Sequence, residues 1–331
     1  MLLEKPLLEK SLSETSLMDK IILGDAIEVM KEIPSNSIDM TFADPPFNLK
    51  KSYSHYIDSK QLGEYNRWCK EWIGEMVRIT KPTGSIFIHN LPKWLTYHSY
   101  YLNRKAIFRH WIAWDAMGAP LGKTLLPNHY GILYYVKSDN FKFNDLRMPH
   151  LRCRSCGELL ADYGGKKRLI HPFGVLLSDV WTDIHRIRHT TRRDVHPCQL
   201  PVHLLERLVL MATDEEDVVL DPFLGTGTTA IAAKKLGRHY IGIDIDKEYV
   251  DLATKKVKEA QLTQVNGCFI SIFLGKIQTI RDKDYDKIKG LLKTEKLKIN
   301  GEKFKQLALP YFTESNEPSE TKTSQTLKTY L

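Results

Sequence analysis

Two stretches of the 331-residue chain bring carboxylates, glycines and an aromatic ring together within a few positions. The first is Asp44-Pro45-Pro46-Phe47, which closes the apolar run Ile38 to Ala43. Proline has no backbone N–H and a fixed φ, so Pro45-Pro46 cannot continue a sheet ladder and the chain must leave as a stiff loop. Such a loop gathers a carboxylate, backbone carbonyls and an aromatic ring in a small space. That set can grip a flat, amine-bearing ring, with acceptors for the amine protons and a face for stacking. The same residues also read as a plain strand end with a proline turn and a buried Phe47.

The second stretch is Val218-Val219-Leu220-Asp221-Pro222-Phe223-Leu224-Gly225-Thr226-Gly227-Thr228-Thr229. A buried-type strand enters a glycine turn and then a helix, the arrangement by which open α/β sheets bring backbone close to a ligand. It is neither G-x-G-x-x-G nor a P-loop, because no lysine follows the second glycine, so phosphate cradling is not the reading. One βα unit later, Ile241-Gly242-Ile243-Asp244 sets a carboxylate at a strand end, suited to accept from ribose hydroxyls. Gly24-Asp25 offers a further strand-end carboxylate that could face an adenine amine.

The elements that must hold these groups follow from hydrophobic period. Strands are expected at 20–23, 38–43, 85–89, 107–114, 130–136, 217–220 and 239–243, with a turn at Lys81-Pro82-Thr83-Gly84. Helices are expected at 26–32, 201–211, 225–236 and 247–260, and at 61–80, where Leu62, Tyr65, Trp68, Trp72, Met76 and Ile79 recur at close to 3.6 residues. Alternating strands and helices predict an α/β fold, a mostly parallel sheet with helices on both faces. Between 138 and 195 the periodicity fails, and beyond about 275 the chain is lysine-rich, with a polar tail (314–331) expected to be disordered.

Composition bounds the rest. The charge is 48 − 40 = +8, which favours polyanionic partners. The five cysteines (Cys69, Cys153, Cys156, Cys198 and Cys268) are few and odd in number, which suits a reducing compartment better than a disulfide scaffold. No signal peptide and no run long enough to span a bilayer is present, so a soluble cytoplasmic protein is expected.

Together the motifs resemble those of the amino-methylating DNA methyltransferases. Asp44-Pro45-Pro46-Phe47 resembles their catalytic motif and Asp221 to Gly227 their S-adenosylmethionine motif. His196-Pro197-Cys198-Gln199-Leu200-Pro201 is similar to the His-Pro-x-Gln-Lys-Pro segment before it, departing at Leu200. The order of motifs resembles the β group, covering roughly 20–137 and 196–262.

The resemblance implies a Rossmann-like methyltransferase sheet, mostly parallel with one antiparallel strand and a circularly permuted motif order. It divides the chain into a catalytic half (1–137), a target-recognition insertion (138–195), a cofactor half (196–270) and an extension (271–331). It assigns Asp44, Pro45, Pro46 and Phe47 to catalysis on a flipped base, and Asp25, His196, Asp221, Phe223, Gly225, Gly227, Thr228 and Asp244 to S-adenosylmethionine. Double-stranded DNA is the implied substrate, with a homodimer and a cognate restriction endonuclease as possible partners. Family members with Asp first usually act on adenine N6 and those with Ser first on cytosine N4, so adenine is expected at Asp44. The alternatives are cytosine N4, a catalytically silent DNA-binding relative, and the same chemistry on RNA or a protein glutamine. Cytosine C5 chemistry is excluded, because the single Pro-Cys pair, Pro197-Cys198, is not at the catalytic strand.

The insertion is rich in arginine and lysine with interleaved aromatics, a composition suited to phosphates and guanine edges. Lys166, Lys167, Arg168, Arg186, Arg188, Arg192 and Arg193 are the expected DNA contacts, with Arg147, Arg152 and Arg154 nearby. Cys153-Arg154-Ser155-Cys156 has zinc-knuckle spacing, and His185 and His189 could complete a ligand set. The gap between the pairs is long for a finger, and two structural thiols without metal are the expectation.

Overall fold

A computed structural model describes residues 17–49, 52–53, 56–57, 59–116, 128–150, 171–187, 199–273, 276–292, 297–299 and 302–304. The scaffold is an eight-stranded sheet. Its strands are β1 (Lys20–Leu23), β2 (Ile38–Ala43), β3 (Thr80–Asn90), β4 (Ile107–Asp115), β5 (His129–Val136), β8 (Val180–Trp181), β9 (Val218–Asp221) and β10 (His239–Asp244). The strands β6 (Leu146–Pro149) and β7 (Gly174–Leu176) lie in a second sheet. The main order is β1-β10-β9-β2-β3-β5-β4-β8. Every pairing is parallel except those of β5, which runs antiparallel to both β3 and β4. The sheet is the one expected, with a single reversed strand.

The permuted order is visible in one ladder. Met40 of β2 pairs with Val219 of β9, and Thr41 with Leu220, so the two motif strands are neighbours despite their separation in sequence. Both run in the same direction, so Asp44 and the glycine turn leave the sheet at the same edge.

Period-two alternation divides the core into two layers. Phe42, Phe87, Ile132 and Tyr134 face one side, against α4 (Val202–Ala212) and α5 (Thr228–Lys235). Ile86, Ile88, Leu133 and Tyr135 face the other, against α1 (Ala26–Lys31), α2 (Leu62–Ile79) and α3 (Pro92–Leu102). The helix α2 buries Tyr65, Cys69, Trp72, Ile73, Met76 and Ile79 at helical spacing, while Leu62 is exposed. The helix α6 (Lys247–Glu259) buries only Ala253 and Val257.

Three expectations are refined. The turn at Lys81-Pro82-Thr83-Gly84 is an irregularity inside β3: the ladder jumps from Ile38↔Thr80 to Met40↔Ser85, so the extra residues bulge without ending the strand. The insertion and the C-terminal extension share a sheet. In it β12 (Lys276–Arg281) pairs with β6 on one side and β11 (Ser271–Phe273) on the other, and β6 pairs with β7. Arg147, in the basic insertion but outside the expected set of DNA contacts, bridges to Asp282 of this module and donates to the Gly174 carbonyl at 3.0 Å. The expected disorder of 314–331 concerns residues outside those described. No helix among the described residues is long and apolar enough to cross a membrane.

Candidate active site

The glycine turn is built by the carboxylate that precedes it. Asp221, at the end of β9, is 3% exposed. Its Oδ1 accepts from the Phe223 N–H at 2.9 Å and its Oδ2 from the Thr229 hydroxyl at 2.5 Å, so the strand end and the first turn of α5 are clamped to one side chain. Gly225 (φ +54°) and Gly227 (φ +93°) lie in the left-handed region that a Cβ disfavours. At Gly227 a Cβ would also sit 2.9 Å from the Ala253 Cβ, so glycine lets α6 pack against the turn.

Asp244 completes the turn from the neighbouring strand. Its Oδ2 accepts from the Gly225 N–H at 2.7 Å and its Oδ1 from the Asp246 N–H at 2.9 Å. Burial pushes the Asp244 carboxyl above its ordinary range, against the pull of these N–H donors. Burial, reinforced by the charges of Asp44 and Asp244, pushes Asp221 up to about 7, while the Thr229 and Phe223 bonds oppose the rise. Asp25 caps α1, its Oδ1 accepting from the Ile27 and Glu28 N–H groups at 2.9 and 3.2 Å.

At the other motif, Asp44 is half-buried and Pro45 buried. The Pro46 carbonyl accepts from the Tyr65 hydroxyl at 2.7 Å, which ties the proline loop to α2. Asp44 Oδ1 lies 2.7 Å from Nδ1 of His89, at the end of β3. The Phe47 ring is half-buried, with its centroid 5.7 Å from that of His89 and 6.1 Å from that of Tyr130. Phe47 packs against the core and also lines the cavity, so the two readings of this ring are not exclusive.

One cavity of about 350 Å³ joins these parts. Its walls carry Asp44, Pro45, Pro46 and Phe47 together with Asp25, Asp221, Phe223, Gly225, Thr228 and Asp244. The volume is in the range of small-molecule sites, about 300–1,000 Å³. One end offers a proline-stiffened aromatic wall with a carboxylate. The other offers a glycine turn and carboxylates at strand ends, a donor and acceptor set that fits a nucleoside bearing a cationic arm. Thr228 reaches it from α5 with its hydroxyl 3.4 Å from the Leu200 carbonyl, and Gln199 and Leu200 line the cavity too. Their neighbour His196 is outside the described residues.

Sequence reasoning missed His89, Trp68 and Tyr130. Trp68 stands 5.6 Å, centroid to centroid, from Phe223 and lines the cavity. The sequence marks His89-Asn90 only as a polar pair ending an otherwise apolar strand; the ladder places that strand beside the one that ends at Asp44. Of the expected DNA contacts, Arg186 is half-buried, just past Ile184, whose carbonyl accepts from the Trp114 indole at 2.7 Å. Lys166, Lys167, Arg168, Arg188, Arg192 and Arg193 lie outside the described residues, as do Cys153, Cys156 and His189. The aromatics expected between the basic residues, Phe173 and Trp181, are buried, and Trp181 packs under the Arg207 guanidinium at 4.9 Å.

Residues 38–255 match the family model described as DNA methylase, of the N6/N4 type. The chain belongs to the N6/N4 DNA methylase family. It is 46% identical over 231 residues to the type II methyltransferase M.BamHI of Bacillus amyloliquefaciens, covering 69% of this chain and 55% of that protein. It is 32% identical to the DNA adenine methyltransferase YhdJ of Escherichia coli K12, covering 72% of this chain and 83% of that one. The solved PvuII DNA methyltransferase (cytosine-N4-specific) shares the fold, with a TM-score of 0.52 at 16% identity, over 72% of this chain and 90% of that one. The chain thus spans little more than half the length of the Bacillus methyltransferase. S-adenosylmethionine is the cofactor of this family, and the cavity end around Gly225 and Asp244 has the chemistry to hold it.

Proposed function

We propose that the chain is a DNA methyltransferase that methylates the exocyclic amine of a base, adenine N6 in the first reading. The observation that carries it is a cavity bounded by both the Asp44–Phe47 loop and the Asp221–Thr228 turn. In this reading Gly225 lets backbone approach the cofactor, Gly227, which does not line the cavity, lets the turn pack against α6, Asp244 accepts from the cofactor's ribose hydroxyls and Asp25 faces its adenine amine. When bound, S-adenosylmethionine supplies a methyl group already activated by a sulfonium.

An exocyclic amine is a poor nucleophile, because its lone pair is delocalised into the ring. The Asp44 carboxylate and the Pro45 carbonyl accept the amine's protons and favour the pyramidal form, in which the lone pair can attack. As positive charge develops on nitrogen, the fixed acceptor at Asp44 is stabilising without reorganisation, and Asp44 can take up the departing proton. Phe47 stacks on the base once it has left the duplex, as enzymes working on a base edge require. The stiffness of Pro45-Pro46 contributes by orientation. The basic residues of 138–195, from Lys166 to Arg193, supply the DNA contacts.

Cytosine N4 is the second reading, because the family match spans both N6 and N4 enzymes. The test is incubation of the purified chain with duplex DNA and labelled S-adenosylmethionine, followed by nucleoside mass spectrometry. N6-methyladenine supports the first reading, N4-methylcytosine the second, and label confined to RNA or protein overturns both. A cognate restriction endonuclease and a homodimer belong to the same proposal; protection of host DNA from cleavage and sedimentation test them.

A further inference from the structure

We propose that His89 is a positioning residue for Asp44, an inference that rests on the methyltransferase reading above. The placement comes from the sheet itself. In the parallel ladder between β2 and β3, Ala43 pairs with Ile88, so the next residues on each strand, Asp44 and His89, emerge side by side. Nδ1 of His89 and Oδ1 of Asp44 are 2.7 Å apart, and the imidazole is 2% exposed.

The direction of this bond follows from the accepting Asp44 carboxylate that the proposed reaction requires. An ionised carboxylate only accepts, so Nδ1 carries the proton and donates. Nε2 is buried and has no hydrogen-bond partner among the described residues. The ring is boxed by Phe47, Tyr130 and Trp114 at centroid distances of 5.7, 5.1 and 5.6 Å. It therefore cannot turn its other nitrogen to water, and the aromatic box holds the Nδ1 donor on Asp44. With Oδ1 engaged, the carboxylate plane is set and Oδ2 is the oxygen left to accept from an amine.

His98 shows what a histidine with a purely packing role looks like in this chain. It is equally buried, touches Trp72 edge-on, and has neither ring nitrogen hydrogen-bonded among the described residues. Burial drives it down to about 3, so it stays neutral, and among the described residues no acid lies beside it as Asp44 lies beside His89. The difference between the two histidines is the carboxylate.

The experiment compares the full chain with H89L, H89N and H98L, measuring kcat and KM for methyl transfer to DNA, the Kd for S-adenosylmethionine and Tm. Leucine keeps the bulk and removes the donor, whereas the asparagine amide stands close to Nδ1 and can donate to Asp44. H89L is expected to lower kcat about 100-fold, the loss a misplaced catalytic group produces, with Kd for the cofactor within about twofold. H89N is expected to recover at least tenfold of that loss, and H98L to change Tm while leaving kcat within about twofold. Equal loss in H89N and H89L, or a kcat loss in H98L that tracks Tm as in H89L, overturns the proposal. A wild-type chain that binds S-adenosylmethionine but methylates no DNA overturns the methyltransferase reading with it. Wild-type methylation with an unaffected H89L overturns the role of His89 alone.

Discussion

The Gly225 amide donates to the Asp244 carboxylate at 2.7 Å, so a glycine turn on one strand is shaped by an acid on the next. Asp244 also accepts from Asp246, the residue that caps α6 by accepting from the Glu248 N–H. A carboxylate with both oxygens engaged has one orientation. The turn is therefore rigid where, in the proposed reading, the cofactor's ribose hydroxyls meet it.

Asp244→Ala is expected to weaken S-adenosylmethionine binding about 10- to 100-fold. A hydrogen bond to a charged group contributes about 1.5–3 kcal/mol, and each 1.4 kcal/mol is about tenfold in Kd. Titration calorimetry measures it; an unchanged Kd would remove Asp244 from the cofactor site.

Gly227→Ala is expected to destabilise the chain by about 1–3 kcal/mol, the cost of a side chain held in a sparsely populated backbone region. The left-handed φ of +93° and the approach to Ala253 both oppose the added methyl. Denaturant unfolding of the cofactor-free chain reads the difference. Unaltered stability would mean that α6 moves away at no cost.

Asp221 predicts a pH dependence of stability. Its folded carboxyl is raised from 3.8 to about 7, so between these values the folded chain binds a proton that the unfolded chain has released. Its contribution is complete below about pH 4 and is lost as pH rises to about 7, with a slope of at most about 1.4 kcal/mol per pH unit. Asp221→Asn cannot titrate there, so the variant should gain stability relative to wild type as pH rises from 4 to 8. Parallel unfolding free energies across that range would contradict the assignment.

The motif strands, the glycine turn and Asp244 were legible because each depends on neighbours within a few residues: an apolar run, a glycine that permits positive φ, an acid at the strand end. The reversed strand β5 came from the family resemblance, since periodicity carries no direction. His89 was not legible as a partner of Asp44, because the bond spans 45 residues and depends on which strands are adjacent. The pairing of Ile280 with Arg147 was hidden for the same reason. A lysine-rich segment with short apolar stretches reads as a tail until a distant strand supplies its edge. Arg147 shows the limit of composition: a basic residue in a basic stretch, it is held by Asp282 within the protein.

In the proposed reading, Asp44 receives the amine of a base next to the methyl donor. The direct measurement is methyl transfer from labelled S-adenosylmethionine to duplex DNA by wild type and Asp44→Ala, with cofactor Kd measured on both. Label is expected on an exocyclic amine in wild type, with a loss of at least about 100-fold in the variant, as for removal of one fixed electrostatic group in an active site, and cofactor Kd within about threefold. Comparable transfer by the variant, or label at a ring carbon, would contradict it.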